Sequence, residues 1–324
     1  MREPSSAPDQ PSTPLRLLVV GTGAVGGYYG AQLAKAGVAV TTTHRSDTAV
    51  VRQQGIHIRG IDGDHHFRPD QVLERVTDFA GYPDYILVAL KVLKETPTAE
   101  IIRPVVGPKT TILLLQNGVE IEDRVADAFP ENELLSGLAF VCLSRTAPGH
   151  IEHTCYGHLT IGRFPSGPSE AAQQLSRLFE TAGTACPVTD NIALERWKKL
   201  VWNAAFNPVS VLGQATTREI LSQPHTARLV QRIMREVCEV ATACGHPLND
   251  EIVQKNLEAT QRMRPYKTSM LLDYLDGRSM EVEAILGHAI QAAKRHGTPV
   301  PCLETVYALM SLISREPAAR RRHQ

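Results

Sequence analysis

Hydrophobic positions follow two different patterns along the chain. In the first half, short apolar runs end in glycine or polar residues, and helical periods lie between them. Residues 15–20 form one such run and stop at Gly21, which predicts a buried parallel strand. Residues 24–35 carry a helical pattern with Gly37 just past its end. Residues 38–43 are β-branched and predict a second strand, and Ser46 is placed to cap a short helix ending near Gly55. Residues 56–67 alternate around Asp62-Gly63 and predict a hairpin. Further strands are expected at 85–90, 111–115, 135–143 and 158–161. Strands alternating with helices define an α/β domain of the doubly wound Rossmann type, with a mainly parallel sheet.

After about residue 186 the period becomes helical almost throughout. Helices are expected at 191–212, 225–244, 250–262, 268–275, 279–296 and 303–314. Their separators include Gly213, Gly245-His246-Pro247, Arg264-Pro265, Gly277 and Gly297-Thr298-Pro299. A chain of 324 residues exceeds what one core usually organises. The expected division is a disordered leader (1–14), a dinucleotide-binding α/β domain (15–186), an all-helical domain (187–315) and a basic tail (316–324).

Composition mainly excludes. Lys and Arg number 34 and balance 34 Asp and Glu, so no net positive field attracts nucleic acid or an anionic membrane. The Arg320-Arg321-Arg322-His323 end reads as a solvated terminus. The leader is polar and Pro/Ser-rich and lacks a secretory apolar run, and no apolar stretch is long enough to span a membrane. Cysteines 142, 155, 186, 238, 244 and 302 form no C-x-x-C pair and have no zinc-finger partner. They read as reduced thiols of a cytoplasmic protein, with no disulfide framework and no metal site.

The first chemistry is at Gly21-Thr22-Gly23-Ala24-Val25-Gly26, between a predicted strand and a predicted helix. Gly21 permits the tight turn, Gly23 lets a pyrophosphate approach the backbone, and Gly26 lets the helix pack on the strand. The helix N-terminus then offers free N–H groups and a partial positive charge to phosphate. An NAD site usually carries an acid at the end of the second strand. Here the run is Thr41-Thr42-Thr43-His44-Arg45, and Arg45 suits a 2′-phosphate, which favours NADP. Asp47, two residues on, reads as first-turn helix chemistry.

Lys91 and Asn117 stand at the carboxyl ends of later strands, where ligands of open parallel sheets bind. In the helical half, Lys199, Asn203 and Asn207 recur every four residues and share one face of an otherwise apolar helix. Lys198 competes with Lys199 but points about 100° away. Pro208 removes one backbone hydrogen bond beside Asn207 and is a candidate kink.

These motifs, in this order, resemble the ketopantoate reductase family, the NADPH-dependent 2-dehydropantoate 2-reductases. The resemblance rests on GTGAVGGYYGAQLAKAG, on LLLQNG, and on the run from Trp197 to Pro208. It also rests on Thr268-Ser269-Met270-Leu271-Leu272-Asp273 and on Glu281-Val282-Glu283-Ala284-Ile285-Leu286-Gly287. It extends over about residues 15–314. It implies hydride transfer from NADPH to a 2-keto acid, most simply 2-dehydropantoate going to pantoate in pantothenate biosynthesis.

By carry-over, Lys199 is the general acid, and Glu281 holds it and bonds the substrate hydroxyl. Ser269, Asn203, Asn207 and Asn117 bind substrate. Lys91 and Asn117 lie near nicotinamide and ribose, alongside Gly21, Thr22, Gly23, Ala24, Val25, Gly26 and Arg45 as cofactor residues. Spacing alone would allow Glu283 in place of Glu281. Tyr266 stands where pantoate-making members have an asparagine, which leaves another 2-keto acid as the competing substrate. Phe140-Val141-Cys142-Leu143-Ser144-Arg145 differs from the threonine-rich strand of those members, and Arg264 and Lys267 are nearby candidates for a carboxylate. A non-catalytic NADP-binding regulator is the alternative of another class, and a homodimer through the helical domain is compatible with the pattern.

Overall fold

A computed structural model describes residues 14–61 and 63–314. The expected leader up to residue 13, Asp62 of the expected hairpin turn and the expected basic tail lie outside the described residues.

The α/β part runs β1 (Arg16–Val20), α1 (Ala24–Lys35), β2 (Ala39–Thr43), α2 (Thr48–Gln54), β3 (Ile56–Gly60), β4 (His65–Phe67) and β5 (Gln71–Leu73). It continues with β6 (Tyr85–Val88), α3 (Thr98–Ile102), β7 (Thr111–Leu114), α4 (Asp123–Ala128), β8 (Leu134–Ala147), β9 (His150–Arg163) and α5 (Glu170–Thr181). All nine strands form one sheet in the order β4-β3-β9-β8-β7-β6-β1-β2-β5. From β5 to β8 every pairing is parallel; β9 then runs antiparallel to β8, and β3 and β4 complete that edge. Leu17 and Val19 face one core, and Leu18 and Val20 the other, so β1 is apolar on both faces as a central parallel strand must be.

Helices follow: α6 (Ile192–Gly213), α7 (Thr217–Ser222), α8 (Pro224–Ala243), α9 (Asp250–Arg262), α10 (Ser269–Leu275), α11 (His288–His296) and α12 (Pro301–Ser314). They enclose a separate core around Leu200, Val201, Phe206, Val237 and Leu286. Asn191 caps α6 by accepting from the Leu194 amide (3.1 Å), and α6 continues through Pro208 to Gly213. None of the helices is long and apolar enough to cross a membrane, among the described residues.

Several expectations need correction. Asp47, not Ser46, precedes α2, and its side chain makes no capping bond. The two short strands expected at 135–143 and 158–161 are one hairpin of two fourteen-residue arms. Register shifts at Phe140/Val141, Cys142/Leu143 and Arg145/Ala147 interrupt the alternation that would have revealed them. The helix expected from residue 279 begins only at Val282 and opens with a π turn over Glu283–Gly287. The six-residue α7 was not expected, although the Thr216/Glu219 capping box marks its start. Cys142 and Cys155 are disulfide-bonded, not free. They stand opposite each other across β8 and β9 with Cα atoms 5.0 Å apart, a proximity that sequence spacing does not carry.

Candidate active site

The glycine loop leaves β1 and turns into α1. Gly21 has φ +91°, and a Cβ there would lie 2.7 Å from the Leu90 amide nitrogen, so only glycine fits. A Cβ on Gly26 would meet the Gly21 carbonyl at 2.5 Å, which is how closely helix and loop pack. Gly23 is exposed with open space before it, and it precedes the Ala24, Val25 and Gly26 amides, which have no acceptor within the helix. The Thr22 hydroxyl is buried without a hydrogen-bond partner among the described residues. Open backbone, free amides and an orphaned hydroxyl form a cradle that fits a dinucleotide pyrophosphate.

Past the end of β2, Arg45 is exposed. Asp47 is buried and its carboxylate is already engaged, by Arg145 (3.2 Å) and by His44 (3.5 Å). The expectation of a first-turn helix role for Asp47 is therefore replaced by an ion pair to the β8–β9 arm.

The carboxyl ends of β6 and β7 meet the helical half. Lys91 is one-third exposed and pairs with Asp273 (2.7 Å) while donating to the Ser279 carbonyl (2.8 Å). The Val92 amide donates to Glu281 Oε1 (2.9 Å). Gly118 has φ +110°, and a Cβ there would lie 2.6 Å from the Ala284 carbonyl oxygen, so this glycine lets the β7 loop touch the π turn.

Lys199 and Glu281 converge here. Lys199 Nζ donates to Asn117 Oδ1 (3.0 Å) and to the Ala139 carbonyl (2.8 Å), and lies 5.4 Å from the centre of the Phe140 ring. His158 stacks on that ring. Asn117 also acts to lower the Glu281 carboxyl, so one asparagine stands beside both the cation and the carboxyl. Burial, with the Arg196 charge, brings the Lys199 ammonium down to about 7, while Glu281 opposes the fall. Burial raises the Glu281 carboxyl, against the Val92 amide, the Lys91 charge and Asn117.

The neighbours that compete by spacing point elsewhere. Lys198 pairs with Glu195 (2.6 Å), and Glu283 accepts from the Tyr307 hydroxyl (2.6 Å). Asn203 is partly exposed one turn beyond Lys199, whereas Asn207 is buried with its Oδ1 unpartnered among the described residues. Ser269 is exposed in the first turn of α10, capped by Thr268. Tyr266 is partly buried, and burial together with Asp273 pushes its phenol up to about 12. Arg264 and Lys267 are exposed. Arg196, the Val92 amide and the Phe140 ring were not predicted as parts of this cluster. Only Arg196 left a sequence signal, as a charge one turn before Lys199 on an apolar helix.

Residues 17–166 match the family described as Ketopantoate reductase PanE/ApbA, and residues 191–314 match Ketopantoate reductase PanE/ApbA C terminal. A 2-dehydropantoate 2-reductase of Nostoc sp. is 37% identical over 296 residues, covering 89% of this chain and 92% of that protein. The crystal structure of 2-dehydropantoate 2-reductase from Methylococcus capsulatus is 46% identical with a TM-score of 0.88, covering 94% of this chain and 98% of that one. The corresponding structure from Geobacter metallireducens GS-15 is 34% identical with a TM-score of 0.87, covering 92% and 99%. On the strength of both halves of the chain, it belongs to the ketopantoate reductase family.

Proposed function

We propose that this protein reduces a 2-keto acid to the 2-hydroxy acid with NADPH, and that 2-dehydropantoate, going to pantoate, is the substrate. The observation that carries this is the Lys199–Asn117 hydrogen bond with Glu281 beside it, set at the strand ends near a loop that fits a dinucleotide.

When bound, the nicotinamide supplies the hydride. Gly21, Thr22, Gly23, Ala24, Val25 and Gly26 would hold the pyrophosphate, Arg45 would bind the 2′-phosphate, and Lys91 and Asn117 would lie near the nicotinamide and ribose. The chain's own task is the oxygen of the ketone. As the carbonyl carbon accepts hydride, charge builds on oxygen, and the Lys199 ammonium stabilises it and transfers a proton to it. Asn117 and the Ala139 carbonyl fix the direction of that ammonium. Glu281 keeps it charged and bonds the product hydroxyl. Asn203, Ser269 and the unpartnered Oδ1 of Asn207 supply further hydrogen bonds to substrate. The bulk of Tyr266 favours a second reading, in which the 2-keto acid is not dehydropantoate.

The discriminating experiment follows NADPH oxidation with 2-dehydropantoate and a panel of other 2-keto acids. Preferred turnover of dehydropantoate supports the first reading, and preferred turnover of another member supports the second. NADPH binding with no turnover of any would contradict both and leave a regulator.

Two further outcomes are expected. Arg45→Ala lowers kcat/KM for NADPH by about tenfold to a hundredfold, the worth of a charged hydrogen bond, and barely alters NADH. Equal losses with the two cofactors would contradict the 2′-phosphate role. The second concerns pH. The acid form of Lys199 is present below about pH 7 and is lost above it, so kcat/KM declines on the alkaline side of neutrality. A limb near the ordinary lysine value of about 10.4 would contradict it.

A further inference from the structure

Arg196 is 3% exposed, one turn before Lys199 on α6. Its Nη1 donates to the carbonyl of Gln116 (2.8 Å) and to that of Gly118 (3.0 Å), the two residues on either side of Asn117. Its Nε donates to Ser136 Oγ (2.8 Å) at the start of β8, the strand whose Ala139 carbonyl takes the other Lys199 bond. Its charge is paired with Glu122. One guanidinium thus grips both walls that orient the Lys199 ammonium. From the opposite side, the Gly118 backbone is pressed against Ala284.

Burying such a pair is costly, and a well-packed apolar pair serves stability as well or better. A tie needed only to dock α6 on the sheet gains little from a fork of donors. A planar fork is what holds the loop carbonyls on Nη1 and Ser136 of β8 on Nε at fixed spacing.

We propose that Arg196 is a positioning residue of the reaction, clamping the 116–118 loop so that Asn117 aims Lys199 at the substrate oxygen. This rests on Lys199 being the proton donor. Arg196 also acts on that proton, since its charge works with burial to lower the ammonium. The other groups facing Lys199 are Asn117 from the β7 loop, Glu281 ahead of the π turn, and Phe140 with His158 from the sheet. His158 is itself lowered by burial and by Lys199.

The test uses two variants of the full chain, with NADPH binding as the check of folding. Arg196→Met is combined with Glu122→Gln, because a lone buried carboxylate would otherwise be left behind. In this double variant kcat falls on the order of a hundredfold, as for a small misplacement of a reacting group, while KM for the keto acid moves less. Its alkaline limb moves to higher pH, because a cation that lowered Lys199 is gone. Arg196→Lys keeps a cation but not the fork, so kcat falls while the limb stays in place.

Unchanged kcat in Arg196→Lys overturns the clamp. So does a double variant that loses thermal stability but keeps wild-type kcat and limb, which would make Arg196 a structural tie. A wild-type enzyme without turnover, or an active Lys199→Ala, strikes the proton-donor reading instead, so the two failures are distinguishable.

Discussion

Lys199→Ala is expected to lower kcat by about a thousandfold or more, near 4 kcal/mol of transition-state stabilisation. The substitution removes both the proton and the positive charge that Lys199 brings to the developing alkoxide. Asn117 can donate a hydrogen bond but not a proton. Glu281, even protonated, is held by the Val92 amide. NADPH affinity should barely change, because the loop that fits the dinucleotide lies on β1 and α1. The comparison variant is Lys198→Ala, whose ammonium pairs with Glu195 on the surface, and it should retain nearly full activity. Steady-state kinetics with a fluorescence titration of NADPH separates the two effects. A Lys199→Ala enzyme that turns over normally would remove the proposed mechanism.

Glu281→Gln carries the second-largest expected effect, a loss of about a hundredfold in kcat near neutral pH. Its direction in pH follows from sign. The Glu281 charge raises Lys199 against burial and Arg196. Without it the ammonium gives up its proton at lower pH, so the alkaline limb moves down and the loss grows as pH rises. Glutamine can still accept from the Val92 amide, so the local fold is preserved. A pH–rate profile measures the shift. A limb that stays or moves upward would show that Glu281 does not hold the lysine charged.

Local pattern carried much of this. The strand before GTGAVG, the helix after it and the i, i+4 series on α6 all follow from short-range periods, and they appear where expected. Spacing on one helix did not separate Lys199 from Lys198; the family resemblance chose Lys199, and the structure pairs Lys198 with Glu195 instead. Spacing likewise left Glu281 and Glu283 open and the resemblance chose Glu281; the π turn places Glu281 before the helix and turns Glu283 towards Tyr307.

Lys91 was legible as a strand-end residue, but not its pairing with Asp273, since no local rule reports which helix closes over a strand end. Arg196 was hidden for the same reason. Its partners Gln116, Gly118 and Glu122 lie more than seventy positions away in the chain and meet it only when α6 docks on the sheet. The Cys142–Cys155 pair depends on the register of a hairpin whose bulges mask its alternation.

The most direct measurement is the product and its stoichiometry. Purified protein is incubated with 2-dehydropantoate and limiting NADPH, and the hydroxy acid formed is identified by mass spectrometry. The expected result is pantoate, formed in equal amount to the NADPH consumed, and no hydroxy acid from the Lys199→Ala variant. NADPH consumed without any 2-hydroxy acid, or pantoate formed equally by the variant, would contradict reduction through Lys199.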